Sequence, residues 1–163
     1  MAIVNTKSTL VQNFEAKPNQ FNPAALLYGR RRGIVGTVAV AAADDNGSAY
    51  LLCPVRSSWV IPSIRLYNDA ITGGTAYDVG LYDTDLAAVD DDAYASALNL
   101  SSASTTGAEV AFEARDIAVI GRKVWQDAGA AADPGVWYYL ALTADTVGTA
   151  AGDVAFDVTV LVD

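Results

Sequence analysis

Residues 153–162 read DVAFDVTVLV, and Val154, Phe156, Val158, Val160 and Val162 fall on every second position. A repeat of two belongs to a β-strand, because successive side chains point to opposite faces. Four of the five are β-branched, which suits a pleated surface. Such a strand buries one face only, so it needs a second layer to cover it. Other runs repeat the signal. Residues 136–143 (VWYYLALT) read as a clear strand, and residues 34–40 as a weaker one. Residues 49–55 end in Cys53-Pro54, and a proline that cannot donate to a ladder places that strand at an edge or ends it. Residues 59–67 put Ile64 and Leu66 on one face despite Pro62, and residues 76–82 put Tyr77, Val79 and Leu81 on one face. Asn68-Asp69 and Gly73-Gly74 between the last two runs predict a turn joining adjacent antiparallel strands. In that pairing Arg65 and Asp78 share the polar side, where an exposed ion pair contributes less than about 1 kcal/mol.

Residues 83–108 are less regular. Asp90-Asp91-Asp92 ahead of the Ala-rich stretch 93–98 predicts a short helix with an acidic first turn. Residues 101–107 read as a Ser/Thr/Gly loop, and strands are expected near 110–112 and 116–120. Residues 123–129 predict a helical turn closed by Gly129, and Asp133-Pro134-Gly135 predicts a turn. The sum is an all-β sandwich of seven or eight strands with one or two short helical turns. Jelly-roll topology is the first choice.

Residues 1–33 differ from the body at 34–163. Asn, Gln and Pro recur there, and apolar residues occur without a sustained period. A segment of this kind does not bury enough surface to offset about 1–2 kcal/mol of backbone entropy per residue. It reads as an extended N-terminal arm, either a loose tail or one that orders on a partner. Phe14, Phe21, Leu26, Leu27 and Tyr28 are more apolar than a plain linker needs. Arg30, Arg31 and Arg32 follow them as a basic run, suited to an acidic partner surface, to acidic residues of a neighbouring copy, to RNA or DNA, or merely to solvent. Within residues 1–43 Lys7, Lys17 and these three arginines face Glu15 alone, while the whole chain carries a net charge of −9. Such asymmetry points to one end meeting a partner of opposite sign. The acidic total argues against general nucleic-acid binding.

Chemistry is sparse. The 163 residues contain no histidine, which removes Ser-His-Asp and Cys-His catalysis and the usual zinc sites. Cys53 lies in an apolar run and is expected as a small core residue. Asp83, Asp85, Asp90, Asp91 and Asp92 could offer oxygens to Ca²⁺, but they lack EF-hand spacing and read first as a solvated loop and helix cap. Trp59, Tyr67, Tyr77, Tyr82, Trp137, Tyr138 and Tyr139 read first as packing and second as a sugar-stacking platform. No phosphate-binding loop, secretory signal or membrane-spanning stretch is visible. No catalytic residue, metal or cofactor is expected.

The stretch IPSIRLYNDAITGGTAYDVGLYD at 61–83 resembles the head decoration (cement) proteins of tailed bacteriophages. Residues 123–143, KVWQDAG to DPGVWYYLALT, and a terminal strand after an AAG turn support the resemblance. It implies a non-enzymatic β-sandwich on the outer capsid surface of the virion, often a homotrimer, clamping neighbouring major capsid protein subunits. It would be made in the host cytoplasm and would bind neither nucleic acid nor membrane. The resemblance carries no functional residue over by position. The alternatives are a receptor-binding or fibre-associated carbohydrate-binding β module, favoured by the aromatics, and a tail or connector component.

Overall fold

A computed structural model describes residues 12, 13, 15–18, 20, 29–42 and 44–162. Eight strands dominate: β1 (Arg30–Val40), β2 (Ala49–Arg56), β3 (Val60–Asn68), β4 (Ala76–Tyr82), β5 (Ala88–Leu98), β6 (Ser104–Glu109), β7 (Trp137–Thr146) and β8 (Gly152–Val162). They form two antiparallel four-stranded sheets, ordered β1-β8-β3-β6 and β2-β7-β4-β5. Apart from β4 and β5, which pair within one sheet, consecutive strands cross between the sheets, and that order is the two-Greek-key jelly roll.

The alternation in β8 is realised: Val154, Phe156, Val158, Val160 and Val162 are all buried. Facing them across the sandwich are Tyr77, Val79 and Leu81 of β4 and Leu140 and Leu142 of β7, also buried. Pro54 lies on an edge strand, as its missing donor requires. Pro62 lies in an inner strand, but at a register shift between Val60 and Ser63, where the ladder does not need its N–H. Gly36 faces inward opposite Phe156, whose ring occupies the space a Cβ would need.

Several expectations are corrected. β3 and β4 are not neighbours in a sheet. They lie in opposite sheets, joined by an arch, so Arg65 is in register with Asp157 and Glu109 while Asp78 sits on the other sheet. The Gly-rich loop serves packing: Ile71 is fully buried, and a Cβ on Gly74, Gly148 or Gly152 would run into its side chain. Asn68 ties this end together, with Nδ2 within 2.7–3.1 Å of the carbonyls of Asp69, Leu100 and Ser102. The predicted helix at 90–98 is strand β5. Its bulges place Ala95 opposite Val79 but Asp90 opposite Leu81, which breaks the period of two. The predicted loop at 101–107 contains most of β6, a polar edge strand. The predicted strands at 110–112 and 116–120 are turns, with a 3-10 turn at Ile117–Val119 capped by Asp116. The helical turn at 123–129 is present as α1 (Val124–Asp127), where Gln126 Oε1 accepts the Lys123 N–H at 3.0 Å and Gly129 takes a positive φ of 70°.

The sheet begins four residues earlier than the sequence suggests. Arg30 to Gly33 pair with Val162 to Thr159 and belong to β1. Upstream, the Asn13 carbonyl accepts the N–H groups of Ala16 and Gln20 in a local turn.

Candidate functional site

Of the partner-contact residues read from the sequence, Phe14, Phe21, Leu26, Leu27 and Tyr28 lie outside the described residues. Arg30, Arg31 and Arg32 stand exposed on β1, an edge strand. Pairing with β8 fixes their backbone, so the strand presents the three guanidinium groups from a rigid ladder.

Topology groups other charges with them. β1 and β3 start, and β2 and β8 finish, at the same end of the sandwich. Arg31 is in register with Leu161, Leu161 with Val60, and Val60 bridges to Lys123. Arg56 closes β2 opposite Trp137, the first residue of β7. Its guanidinium lies 5.1 Å from the Trp137 ring centroid and donates to the Gly135 carbonyl at 3.3 Å. The edge of the Trp59–Trp137 pair is T-shaped, with centroids 5.5 Å apart. Trp137 remains 42% exposed beside the exposed Val136. Arg56 stands over one face of the Trp137 ring. Asp133 lies among these cations, its carboxylate accepting from Ser57 Oγ and Gly135 N. The Ser57 and Gly135 hydrogen bonds, with Lys123 and Arg56 nearby, hold that carboxyl below its usual range.

The excursion between β6 and β7 forms part of this end and is pinned by a buried network. Arg115 Nη1 lies 2.8 Å from Asp127 Oδ2, and Nη2 donates to the Ile61 carbonyl at 2.8 Å. The guanidinium sits between the rings of Tyr94 and Phe112, with centroids at 4.8 and 4.7 Å. The Tyr94 hydroxyl donates to the same Asp127 oxygen at 3.2 Å. Burial pushes the Asp127 carboxyl up, and Arg115 and Tyr94 hold back part of that rise. Arg122 Nη1 stands 4.0 Å from Asp127 Oδ1.

The opposite end is different. Its four loops, 41–48, 69–75, 99–103 and 147–151, contain no Lys or Arg, but hold Asp44, Asp45 and Asp69. Asp145 and Asp153 flank them on β7 and β8. Sequence reasoning misses this polarity, because Arg56, Arg122 and Lys123 are scattered along the chain and only strand direction gathers them.

The acidic residues proposed for calcium do not converge. Asp83 closes its own turn, its Oδ1 accepting from Asp85 N and Ala87 N, each at 2.9 Å. Asp90 is half-buried on β5, and desolvation, then hydrogen bonding to Asp92, pushes its carboxyl up to about 6. Among the described residues no group of three or more His, Cys, Asp or Glu could hold a metal ion. Cys53 is buried, and burial pushes its thiol up to about 12, which makes it inert packing at neutral pH. Among the described residues no helix is long and apolar enough to cross a membrane.

The strand order defines a jelly roll that offers a charged, aromatic end. No protein-family model and no curated protein matches the chain. Among solved structures it is similar to a chain of the capsid of Ralstonia phage GP4, with a TM-score of 0.61 and 12% identity over 83% of this chain and 86% of that one. A weaker similarity, with a TM-score of 0.47 and 17% identity over the same shares, is to a chain of the cyanophage Pam1 capsid asymmetric unit. At these identities the likeness concerns the fold, and the weaker match carries no argument.

Proposed function

We propose that the chain is a non-enzymatic decoration protein that binds the outer surface of a phage capsid and stabilises the lattice of major capsid subunits. The observation that carries this reading is the jelly roll shared, over most of both chains, with a chain of a phage capsid. The decoration-protein motifs at 61–83 and 123–143 support it independently. In this reading residues 1–29, with Phe14, Phe21, Leu26, Leu27 and Tyr28, lie across neighbouring subunits, and Arg30, Arg31 and Arg32 meet acidic groups there. The body assembles as a homotrimer. Its acidic surface keeps it soluble and away from DNA, which repels a net charge of −9. Many copies on one shell supply avidity without a tight single site.

The test uses capsid shells of the phage that encodes this chain, with and without added protein. The proposal expects saturable binding at hundreds of copies per particle and survival to a higher temperature. A copy number of six or twelve would assign the chain to the tail or connector instead.

A further inference from the structure

We infer that the body docks by one end: the rim bearing Arg31, Arg56, Arg122, Lys123, Trp59 and Trp137 seats on an acidic protein surface. The opposite, Asp-rich end points away from it. This inference rests on the capsid-binding reading and says which surface does the binding.

Three observations converge on this end. The first is charge. Arg30, Arg31, Arg32, Arg56 and Arg122 are exposed here, while the far loops carry Asp44, Asp45 and Asp69 and no basic residue. An acidic partner is attracted by the β1–β2 side of this end and repelled by the far loops, which orients the encounter before contact. The second is composition. Arg and Trp are the residue types that dominate binding energy when desolvated at the centre of an interface. Here an exposed Trp137 is already held by Trp59 at its side and by Arg56 over its ring. Little side-chain freedom is left to lose on docking, so contact there costs less entropy than it would for loose side chains. The third is chain direction. Arg30 opens β1 at this same end, so the chain enters the sheet at the rim and not at the acidic end. Arm and rim can therefore engage one surface together.

This end also carries carboxylates, Asp83 and Asp85 in the β4–β5 turn and Glu113 and Asp116 between β6 and β7, but the β4–β5 turn lies on the far side of its sheet from β2, so the basic groups gather on the β1–β2 side. Asp127 is buried against Arg115, and Asp133 is engaged by Ser57 and the Gly135 N–H. Arg56, exposed at the end of β2, donates to the Gly135 carbonyl and lies near the Asp133 carboxylate, with no ion pair to it among the described residues.

The experiment measures binding of the full-length chain to the same shells by co-sedimentation, with folding checked by near-UV circular dichroism. Two rim variants are compared, Arg56→Glu with Trp137→Ala, and Arg31→Glu with Arg56→Glu. The second leaves both tryptophans in place should the first misfold. The control reverses the far end, Asp45→Lys with Asp153→Lys. The inference expects both rim variants to lose at least about tenfold in affinity and the far-end variant to bind like the parent. Parent binding with intact rim variants, or loss only in the far-end variant, would overturn the orientation and leave the decoration reading standing. No binding by the parent would remove both. Should sedimentation velocity show parent chains stacking on one another, with either end's reversal abolishing it, the rim is a head-to-tail self-contact and the inference fails.

Discussion

Nη1 of Arg115 lies 2.8 Å from Oδ2 of Asp127, with the two side chains only 4% and 1% exposed. Twelve residues apart in sequence, they close the long excursion between β6 and β7 onto the core. Removing one partner leaves a buried charge uncompensated, which costs about 3–5 kcal/mol. Arg115→Ala and Asp127→Ala should each lower the urea midpoint accordingly. Replacing both, Arg115→Met with Asp127→Leu, should cost less than either single change. A double variant as unstable as the sum of the singles would show that the two groups act independently.

Gly80 on β4 is a second point of fragility. The backbone of Asp90 and Asp91 crosses the position a Cβ would take there. Because the obstacle is backbone, Gly80→Ala should destabilise by about 2–3 kcal/mol through overpacking and displacement of the β5 bulge. Gly129→Ala meets open space and pays only for its positive φ of 70°, so about 1 kcal/mol is expected. Thermal melts of the two variants side by side test the difference, and equal losses would refute the crowding argument.

Carboxyl environments set the response to pH. Desolvation and the Asp92 hydrogen bond raise Asp90 to about 6 in the folded state from an ordinary value of 3.8. The native state therefore holds that proton more tightly than the unfolded chain. The penalty is complete above pH about 6 and is relieved as pH falls toward 3.8. Asp78 is raised too, mainly by desolvation. Asp44 and Asp133 act oppositely: they are lowered by hydrogen bonds, and their stabilisation is lost only when pH falls below the ordinary carboxylate range. Stability should thus rise from pH 7.5 to mildly acidic pH before falling in strong acid. Asp90→Asn should remove part of the rise, by about 1 kcal/mol or less for a carboxyl only half-buried and screened by water. Urea midpoints at several pH values check this, and an unchanged slope in the variant would contradict it.

Truncation separates arm from body. β1 starts at Arg30, so deleting residues 1–28 keeps every strand pair, whereas deleting through Gly33 strips four residues from the β8 ladder. The shorter deletion should leave the melting temperature nearly unchanged while weakening shell binding at least about tenfold. A large fall in melting temperature would mean that those residues belong to the folded body.

Much of this architecture was legible because β8, β4 and β7 bury one face each, and a period of two survives in Val154 to Val162 and in Tyr77, Val79 and Leu81. Legibility failed where periodicity broke. β5 is Ala-rich and bulged, so helix propensity outweighed a pattern that the Asp90–Ala95 register interrupts. β6 carries no large apolar residue because it is a polar edge. The pairing of β3 with β4 was misread because Gly73 and Gly74 signal a turn without saying whether the chain returns in the same sheet. Ile71, which Gly74, Gly148 and Gly152 accommodate, is buried within the arch. The charged rim was invisible for a further reason: Arg31, Arg56 and Arg122 become neighbours only once strand directions are known.

The most direct test is to heat shells of the major capsid protein with and without the full-length chain and follow the temperature at which they rupture. Rupture shifted upward in proportion to bound copies is the predicted result. Identical rupture temperatures, with the chain left in the supernatant, would contradict the account.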